Sequence, residues 1–76
     1  MKKIMAEIWK DVLKLEQEPE TTDSFFDIGG NSFFATQVFQ DFEEKTGVKI
    51  EVATIYEHET IDSLIDFVES EGNRNE

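Results

Sequence analysis

The fold is decided by one stretch, residues 23–46, which reads DSFFDIGGNSFFATQVFQDFEEKT. Its second half predicts an amphipathic helix from Ser32 to Thr46, because apolar residues recur there at helical spacing. The inward stripe of this helix consists of Ala35, Val38, Phe39 and Phe42. Gly47 follows just past the helix, where glycine adopts a positive φ at little cost. The first half has no periodicity, and its apolar residues Phe25, Phe26 and Ile28 must pack on the rest of the protein.

The remaining sequence predicts three more helices. Residues 2–16 form an amphipathic first helix, which Pro19 and its neighbours end. Residues 52–57 suffice for a short third helix, although their β-branched residues also suit a strand. The last helix begins near Thr60, a suitable N-cap, with Asp62 in its first turn. About fifteen residues without regular structure separate the first two helices, and connections of that length are usually functional or disordered.

Two further apolar stripes complete the expected core. The first helix offers Ile4, Ile8, Val12 and Leu15, flanked by Met5, Trp9 and Leu13, and the last helix offers Ile61, Leu64, Ile65 and Val68. The 76 residues allow a single domain, 1–76, in which we expect residues 71–76 to be a frayed tail. We therefore expect an all-α fold, a small four-helix bundle with a long loop between helices 1 and 2 and a short third helix.

Composition limits what such a bundle can do. The net charge is −11, from 7 basic and 18 acidic residues, so nucleic acid is not an expected partner, whereas basic protein surfaces would be attracted. The absence of cysteine excludes disulfides, thiolate zinc sites and a cysteine nucleophile. No run approaches the ~18–20 apolar residues of a membrane span. We expect a monomeric, soluble, cytoplasmic protein with no membrane partner.

Ser32 lies where the loop meets the second helix, directly after Gly29, Gly30 and Asn31. The glycines permit unusual backbone angles and let another molecule approach closely, and Asn31 tolerates turn geometry. The first N–H groups of a helix lack partners, so a phosphate attached or bound there is stabilised. Taken alone, Ser32 is better interpreted as an ordinary N-cap. With its surroundings, it is predicted to be an exposed hydroxyl at an anion-tolerant position.

Residues 23–32, DSFFDIGGNS, resemble the phosphopantetheine attachment motif of acyl and peptidyl carrier proteins. Residues 54–61, TIYEHETI, are similar to the short third helix and the start of the fourth helix in that family. The resemblance implies that a phosphopantetheinyl transferase moves 4'-phosphopantetheine from coenzyme A onto Ser32, where its thiol holds a thioester. It also implies adenylating or loading enzymes and condensing, tailoring or thioesterase enzymes as partners. The chain itself would be a non-catalytic carrier without an intrinsic metal.

The motif variant resembles peptidyl carriers of nonribosomal peptide synthesis more than fatty acid carriers, because Asn31 precedes the serine where the latter have an acidic residue. This implies a role in antibiotic or related natural-product biosynthesis. Val52 and Glu59 occupy positions where the family often has proline, which leaves the exact span of the third helix open. Met1 and the polar tail favour a free-standing carrier over a piece of a larger synthase.

Phe33 is the first candidate for contact with partner enzymes. It lies off the inward stripe, and leaving it in water forgoes about 1.5–3 kcal/mol of burial, so an exposed aromatic beside Ser32 indicates a partner contact. The family also places a recognition residue at this position. Further candidates are Thr36, Gln37 and Gln40 on the same helix face and Ile55 and Tyr56 on the third helix. For Ile55 and Tyr56, core packing is an equal alternative.

Two other polar residues near these elements receive simpler interpretations. Asp27 is expected to order the loop by accepting hydrogen bonds from backbone N–H groups. His58, the only histidine, is expected at the surface, because no carboxylate–histidine–nucleophile arrangement is evident in the sequence.

Other functions stay open or fail on specific residues. An acyl carrier of polyketide or fatty acid synthesis, and an unmodified acidic helical module that binds proteins, both remain alternatives. A hydrolase is disfavoured because Phe34 occupies the second glycine position of a nucleophile elbow that would include Ser32. A calcium loop read from Asp27 fails at Gly29, Ser32 and Val38.

Overall fold

Four helices and no strand make up residues 1–73, the part of the chain that a computed structural model describes. The helices are α1 (Lys2–Leu13), α2 (Ser32–Thr46), α3 (Thr54–Glu57) and α4 (Ile61–Asn73). The predicted all-α architecture with a short third helix is therefore confirmed. The bounds of α2 agree with the prediction, whereas α3 begins two residues later than the predicted start at Val52.

α1 ends at Leu13 rather than near Glu16, and Pro19 is not what ends it. Lys14 adopts the left-handed conformation, with φ 58° and ψ 47°, and its N–H donates a hydrogen bond to the Lys10 carbonyl. This geometry closes the last turn of a helix, but it is usually supplied by glycine. The residue types around Lys14 therefore contain no signal for the true end of α1.

The core is formed by all four helices together with the segments that connect them. The stripes of α2 and α4 are buried as predicted. In α1 the buried face is rotated relative to the predicted stripe. Met5, Ile8 and Trp9 are buried, whereas Ile4 and Val12 are only half-buried. Trp9, which is fully buried, has the largest side chain of the core, and its burial outweighs that of the smaller aliphatic residues in setting the orientation of the helix.

α4 begins and continues in ways that the sequence predicted only in part. The hydroxyl of Thr60 accepts a hydrogen bond from the Ser63 N–H at 3.1 Å, so Thr60 is the N-cap as predicted. α4 runs through Asn73, so residues 71–73, assigned to a frayed tail, are helical; residues 74–76 lie outside the described residues. None of the helices within residues 1–73 is long and apolar enough to cross a membrane.

Candidate functional site

Ser32 is the first residue of α2, and it is exposed. The N-cap is Asn31, whose extended backbone (φ −154°, ψ −179°) precedes the helix and whose Oδ1 accepts a hydrogen bond from the Phe34 N–H at 2.9 Å. Interpreting Ser32 as the N-cap is therefore wrong. Within residues 1–73, the Ser32 hydroxyl makes no hydrogen bond. Because the neighbouring residue caps the helix, the hydroxyl is available for other chemistry.

The start of α2 favours negative charge. No acidic side chain lies in its first turn, and residues 32–40 carry no charged side chain. The N–H groups of Phe34 and Ala35 are bonded to Asn31, whereas those of Ser32 and Phe33 have no partner among the described residues. Unpaired N–H groups and the positive end of the helix dipole stabilise an anion here. A phosphate group on the Ser32 oxygen would therefore fit this position.

The two positions before the site that glycine occupies require it for different structural reasons. Gly29 has φ +109°, a conformation that side chains disfavour, and no atom lies within 4 Å of where its Cβ would stand. At Gly30 a Cβ would come within 2.7 Å of Phe25 Cζ, so the close approach is made by the protein's own Phe25 ring. Gly30 also donates its N–H to the Phe25 carbonyl at 2.9 Å. Gly30 thus lets a core aromatic residue pack directly beneath the site.

The loop before the site is tied to the junction between α3 and α4. The Phe25 N–H donates to the Glu59 carbonyl at 2.7 Å, and the Ser24 hydroxyl donates to Glu59 Oε1 at 3.1 Å. The Asp62 N–H donates to the Thr21 carbonyl at 3.0 Å. These contacts and the buried ring of Phe25 hold the long loop on the bundle. The prediction that the apolar residues of this loop pack on the bundle is therefore confirmed.

The carboxylate that orders this loop is Asp23, not Asp27. Asp23 Oδ2 accepts a hydrogen bond from the Glu20 N–H at 2.9 Å. Asp27 is exposed, and within residues 1–73 its carboxylate accepts no hydrogen bond. The prediction for Asp27 is therefore wrong. Asp23 lies three residues after Glu20, and an aspartate carboxylate readily reaches a backbone N–H of the same short turn.

Four of the six predicted partner-contact residues lie on the exposed face of α2. Phe33 is 75% exposed, although its ring centroid lies 5.7 Å from that of the half-buried Phe34. Thr36, Gln37 and Gln40 are also exposed. The Thr36 hydroxyl donates to the Ser32 carbonyl at 3.0 Å. The face is uncharged from Ser32 to Gln40, with one large apolar side chain beside Ser32, and it reaches a carboxylate at Asp41, whose Oδ1 accepts a hydrogen bond from Gln37 Nε2 at 3.1 Å.

The two candidates on α3 behave differently. Ile55 is fully buried in the core and cannot contact a partner protein, which corrects its assignment as a recognition residue. Tyr56 is 57% exposed, and its ring stacks on Phe26 of the loop with a centroid distance of 5.4 Å. Tyr56 is thus joined to the loop that leads to Ser32.

His58 is half-buried rather than a plain surface residue. Its Nδ1 lies 2.7 Å from the Ser63 hydroxyl, and its ring stacks on Phe67 with a centroid distance of 4.8 Å. Within residues 1–73, no three His, Asp or Glu side chains form a group able to hold a metal ion. The histidine therefore joins the α3–α4 connection to α4.

Comparison with known proteins places these features in a family. Residues 3–68 match the model of the family described as "Phosphopantetheine attachment site". The chain is 42% identical over 60 residues to one of the linear gramicidin synthase proteins of Brevibacillus parabrevis, covering 79% of this chain and 1% of that protein. It is 36% identical over 69 residues to a surfactin synthase protein of Bacillus subtilis, covering 91% of this chain and 2% of that protein. The chain thus spans a small fraction of these relatives.

Solved structures agree with the fold. The chain superposes with a TM-score of 0.82 on a type-II acyl carrier protein from Streptomyces verticillus involved in bleomycin biosynthesis, at 23% identity, covering 91% of this chain and 82% of that one. For a docking domain complex of the Pax nonribosomal peptide synthetase, the TM-score is 0.80 at 26% identity, covering 91% of this chain and 65% of that one. Since the family model spans nearly all the helices and the exposed serine at the start of α2, the chain belongs to the phosphopantetheine attachment site family, the carrier domains whose cofactor is covalently attached phosphopantetheine.

Proposed function

We propose that Ser32 carries the phosphopantetheine arm of this domain and that the domain holds acyl or aminoacyl intermediates on it during nonribosomal peptide or related natural-product synthesis. The observation that carries the proposal is the exposed, unbonded hydroxyl of Ser32 at the start of α2, beside a helix cap that Asn31 makes. Chemical modification of that hydroxyl therefore removes no hydrogen bond from the fold.

The surroundings of Ser32 suit a phosphodiester. The free N–H groups of Ser32 and Phe33 and the positive end of α2 favour its negative charge, and no acidic side chain in the first turn opposes it. When attached, the arm supplies a terminal thiol that holds the intermediate as a thioester. The cysteine-free chain has no thiol of its own.

The domain is a substrate of enzymes rather than an enzyme. No base is bonded to the Ser32 hydroxyl within residues 1–73, and the nitrogen Nδ1 of His58 is paired with Ser63. A phosphopantetheinyl transferase therefore has to supply the activation of the hydroxyl, using coenzyme A as donor. Afterwards the surfaces around Ser32 are contacted in turn by loading, condensing, tailoring or thioesterase enzymes.

The relatives favour peptide synthesis over fatty acid or polyketide synthesis. The gramicidin and surfactin synthase proteins are 42% and 36% identical to the chain, and they point to an adenylating enzyme that loads an amino acid. The uncharged stretch of α2 from Ser32 to Gln40 fits this choice, because partner contacts along it cannot depend on acidic side chains. We assign partner contact to Phe33, Thr36, Gln37, Gln40 and Tyr56, which are exposed.

The test is incubation of the unmodified protein with coenzyme A, magnesium and a broad-specificity phosphopantetheinyl transferase, followed by intact-mass measurement. We expect one phosphopantetheine group on the wild-type protein and none on Ser32→Ala. Ser70→Ala is the matched control, because it removes another exposed serine hydroxyl far along the sequence from the site. A wild-type protein that gains no mass, or a Ser32→Ala variant that still gains it, would refute the proposal.

A further inference from the structure

We propose that Glu59 is a positioning residue for the attachment site, which it holds in place from the α3–α4 junction through the loop that ends at Ser32. This inference rests on the proposed function of Ser32 and names a determinant of how that serine is presented. Glu59 lies 27 positions after Ser32 in sequence and touches neither the hydroxyl nor the first turn of α2. Its effect must therefore pass through the loop.

Glu59 binds the loop at two adjacent residues. Its carbonyl accepts the Phe25 N–H at 2.7 Å, and its carboxylate accepts the Ser24 hydroxyl at 3.1 Å. Two hydrogen bonds from consecutive residues fix both the position and the direction of the loop, which one bond could not do. The side-chain bond is exposed and individually weak, so its role is to restrict the loop rather than to stabilise the core.

The restraint continues from Phe25 to the site. The Phe25 carbonyl accepts the N–H of Gly30, and the Phe25 ring packs where a Cβ of Gly30 would stand. Gly30 is followed directly by the N-cap Asn31 and then by Ser32. A shift of the loop at Ser24 and Phe25 therefore moves the segment that sets the start of α2.

The same restraint links the site to α3. Phe26 follows Phe25, and the ring centroids of the two lie 5.8 Å apart, while Phe26 stacks on Tyr56 at 5.4 Å. When Glu59 holds the loop, the exposed ring of Tyr56 and the hydroxyl of Ser32 keep a fixed relative position. A partner enzyme that contacts both then meets a surface that is already ordered.

Two readouts separate positioning from mere stability. We compare Glu59→Ala, Ser24→Ala and the double variant with wild type, and use Glu59→Gln as the rescue, because glutamine keeps the acceptor oxygen without the charge. Glu57→Ala is the matched control, since it removes an exposed neighbouring carboxylate that makes no hydrogen bond within residues 1–73. The first readout is steady-state loading by the transferase, and the second is hydrogen exchange of the Gly30 amide.

Glu59→Ala and Ser24→Ala should each raise the KM of transferase loading about two- to tenfold with kcat unchanged, because a loosened loop is competent for a smaller fraction of the time. The KM of the double variant should be no higher than that of either single variant. Gly30 amide exchange should accelerate by a similar factor, Glu59→Gln should resemble wild type, and the unfolding midpoints should stay well above the assay temperature.

An unchanged Gly30 exchange rate in Glu59→Ala, an equal KM effect in Glu57→Ala, or additive single-variant effects would overturn the positioning role. Hydrogen exchange does not depend on modification of Ser32. If the wild-type protein is not loaded at all, the proposed function fails, and the exchange data still decide whether Glu59 holds the loop.

Discussion

Replacing Gly30 with alanine tests the packing of the site on the core. The new methyl group would come within 2.7 Å of Phe25 Cζ, so the ring or the backbone has to move. The ring has little space to move into, because Phe25 is fully buried and packs edge-on against Trp9 with a centroid distance of 4.9 Å. Gly30 is outside the left-handed region, so its replacement carries a steric rather than a conformational cost.

Overpacking of this kind costs about 1–3 kcal/mol, a large part of the roughly 3–5 kcal/mol that stabilises a domain of this size. A change of 1 kcal/mol shifts the Tm of such a domain by about 4–8 °C, so we expect Gly30→Ala to lower the Tm by roughly 5–20 °C. The assay is thermal unfolding followed by circular dichroism and by the fluorescence of Trp9, the only tryptophan.

The matched control removes the clashing ring. In a Phe25→Leu background, the additional cost of Gly30→Ala should be smaller than in wild type, because leucine lacks the Cε2 and Cζ atoms that make two of the three closest contacts. A Tm for Gly30→Ala within about 2 °C of wild type would refute the packing argument, since it corresponds to less than the ~1 kcal/mol minimum expected of overpacking. An undiminished cost in the Phe25→Leu background would refute it equally.

Three further predictions concern the helix start, the partner surface and an ion pair. Asn31→Ala should cost about 0.5–2 kcal/mol in urea unfolding as a lost cap, whereas Ser32→Ala should cost less than ~0.5 kcal/mol; the reverse order would contradict the cap assignment. Phe33→Ala should change stability by less than ~0.5 kcal/mol but reduce transfer by a partner enzyme at least about fivefold, and a large loss of Tm would place Phe33 in the core. Lys2 Nζ lies 2.9 Å from Asp62 Oδ1, and hydrogen bonding from Lys2 lowers the pKa of Asp62 below its ordinary 3.8. The stability from this pair is present above pH 3.8 and is lost as the pH falls further, so the difference in Tm between wild type and Asp62→Asn should shrink in acid; a constant difference would contradict the pairing.

Much of the bundle could be predicted because its signals are local. The bounds of α2 follow from its apolar spacing and from Gly47, whose φ of +79° ends the helix as expected. The exposure of Phe33 follows from helical phase alone. Such features depend on residues a few positions apart, which a single sequence displays directly.

The rest depends on contacts that the sequence does not display. Glu59 binds Ser24 across 35 positions, and nothing in either residue's neighbourhood indicates that pairing. Ile55 and Tyr56 are adjacent in a four-residue helix, which is too short for periodicity to show which of the two is buried. The rotation of α1 is set by the bulk of Trp9 in a core shared with other elements, and Lys14 ends that helix in a conformation that residue type does not predict.

Fragment mass spectrometry of the enzymatically loaded protein identifies the hydroxyl that bears the arm, which we expect to be that of Ser32. After proteolysis, the peptide that contains Gly30, Asn31 and Ser32 should carry the phosphopantetheine group, and fragmentation should place it on Ser32 alone. Finding the group on Ser24, Ser63 or Ser70 instead, or on no residue, would contradict the account.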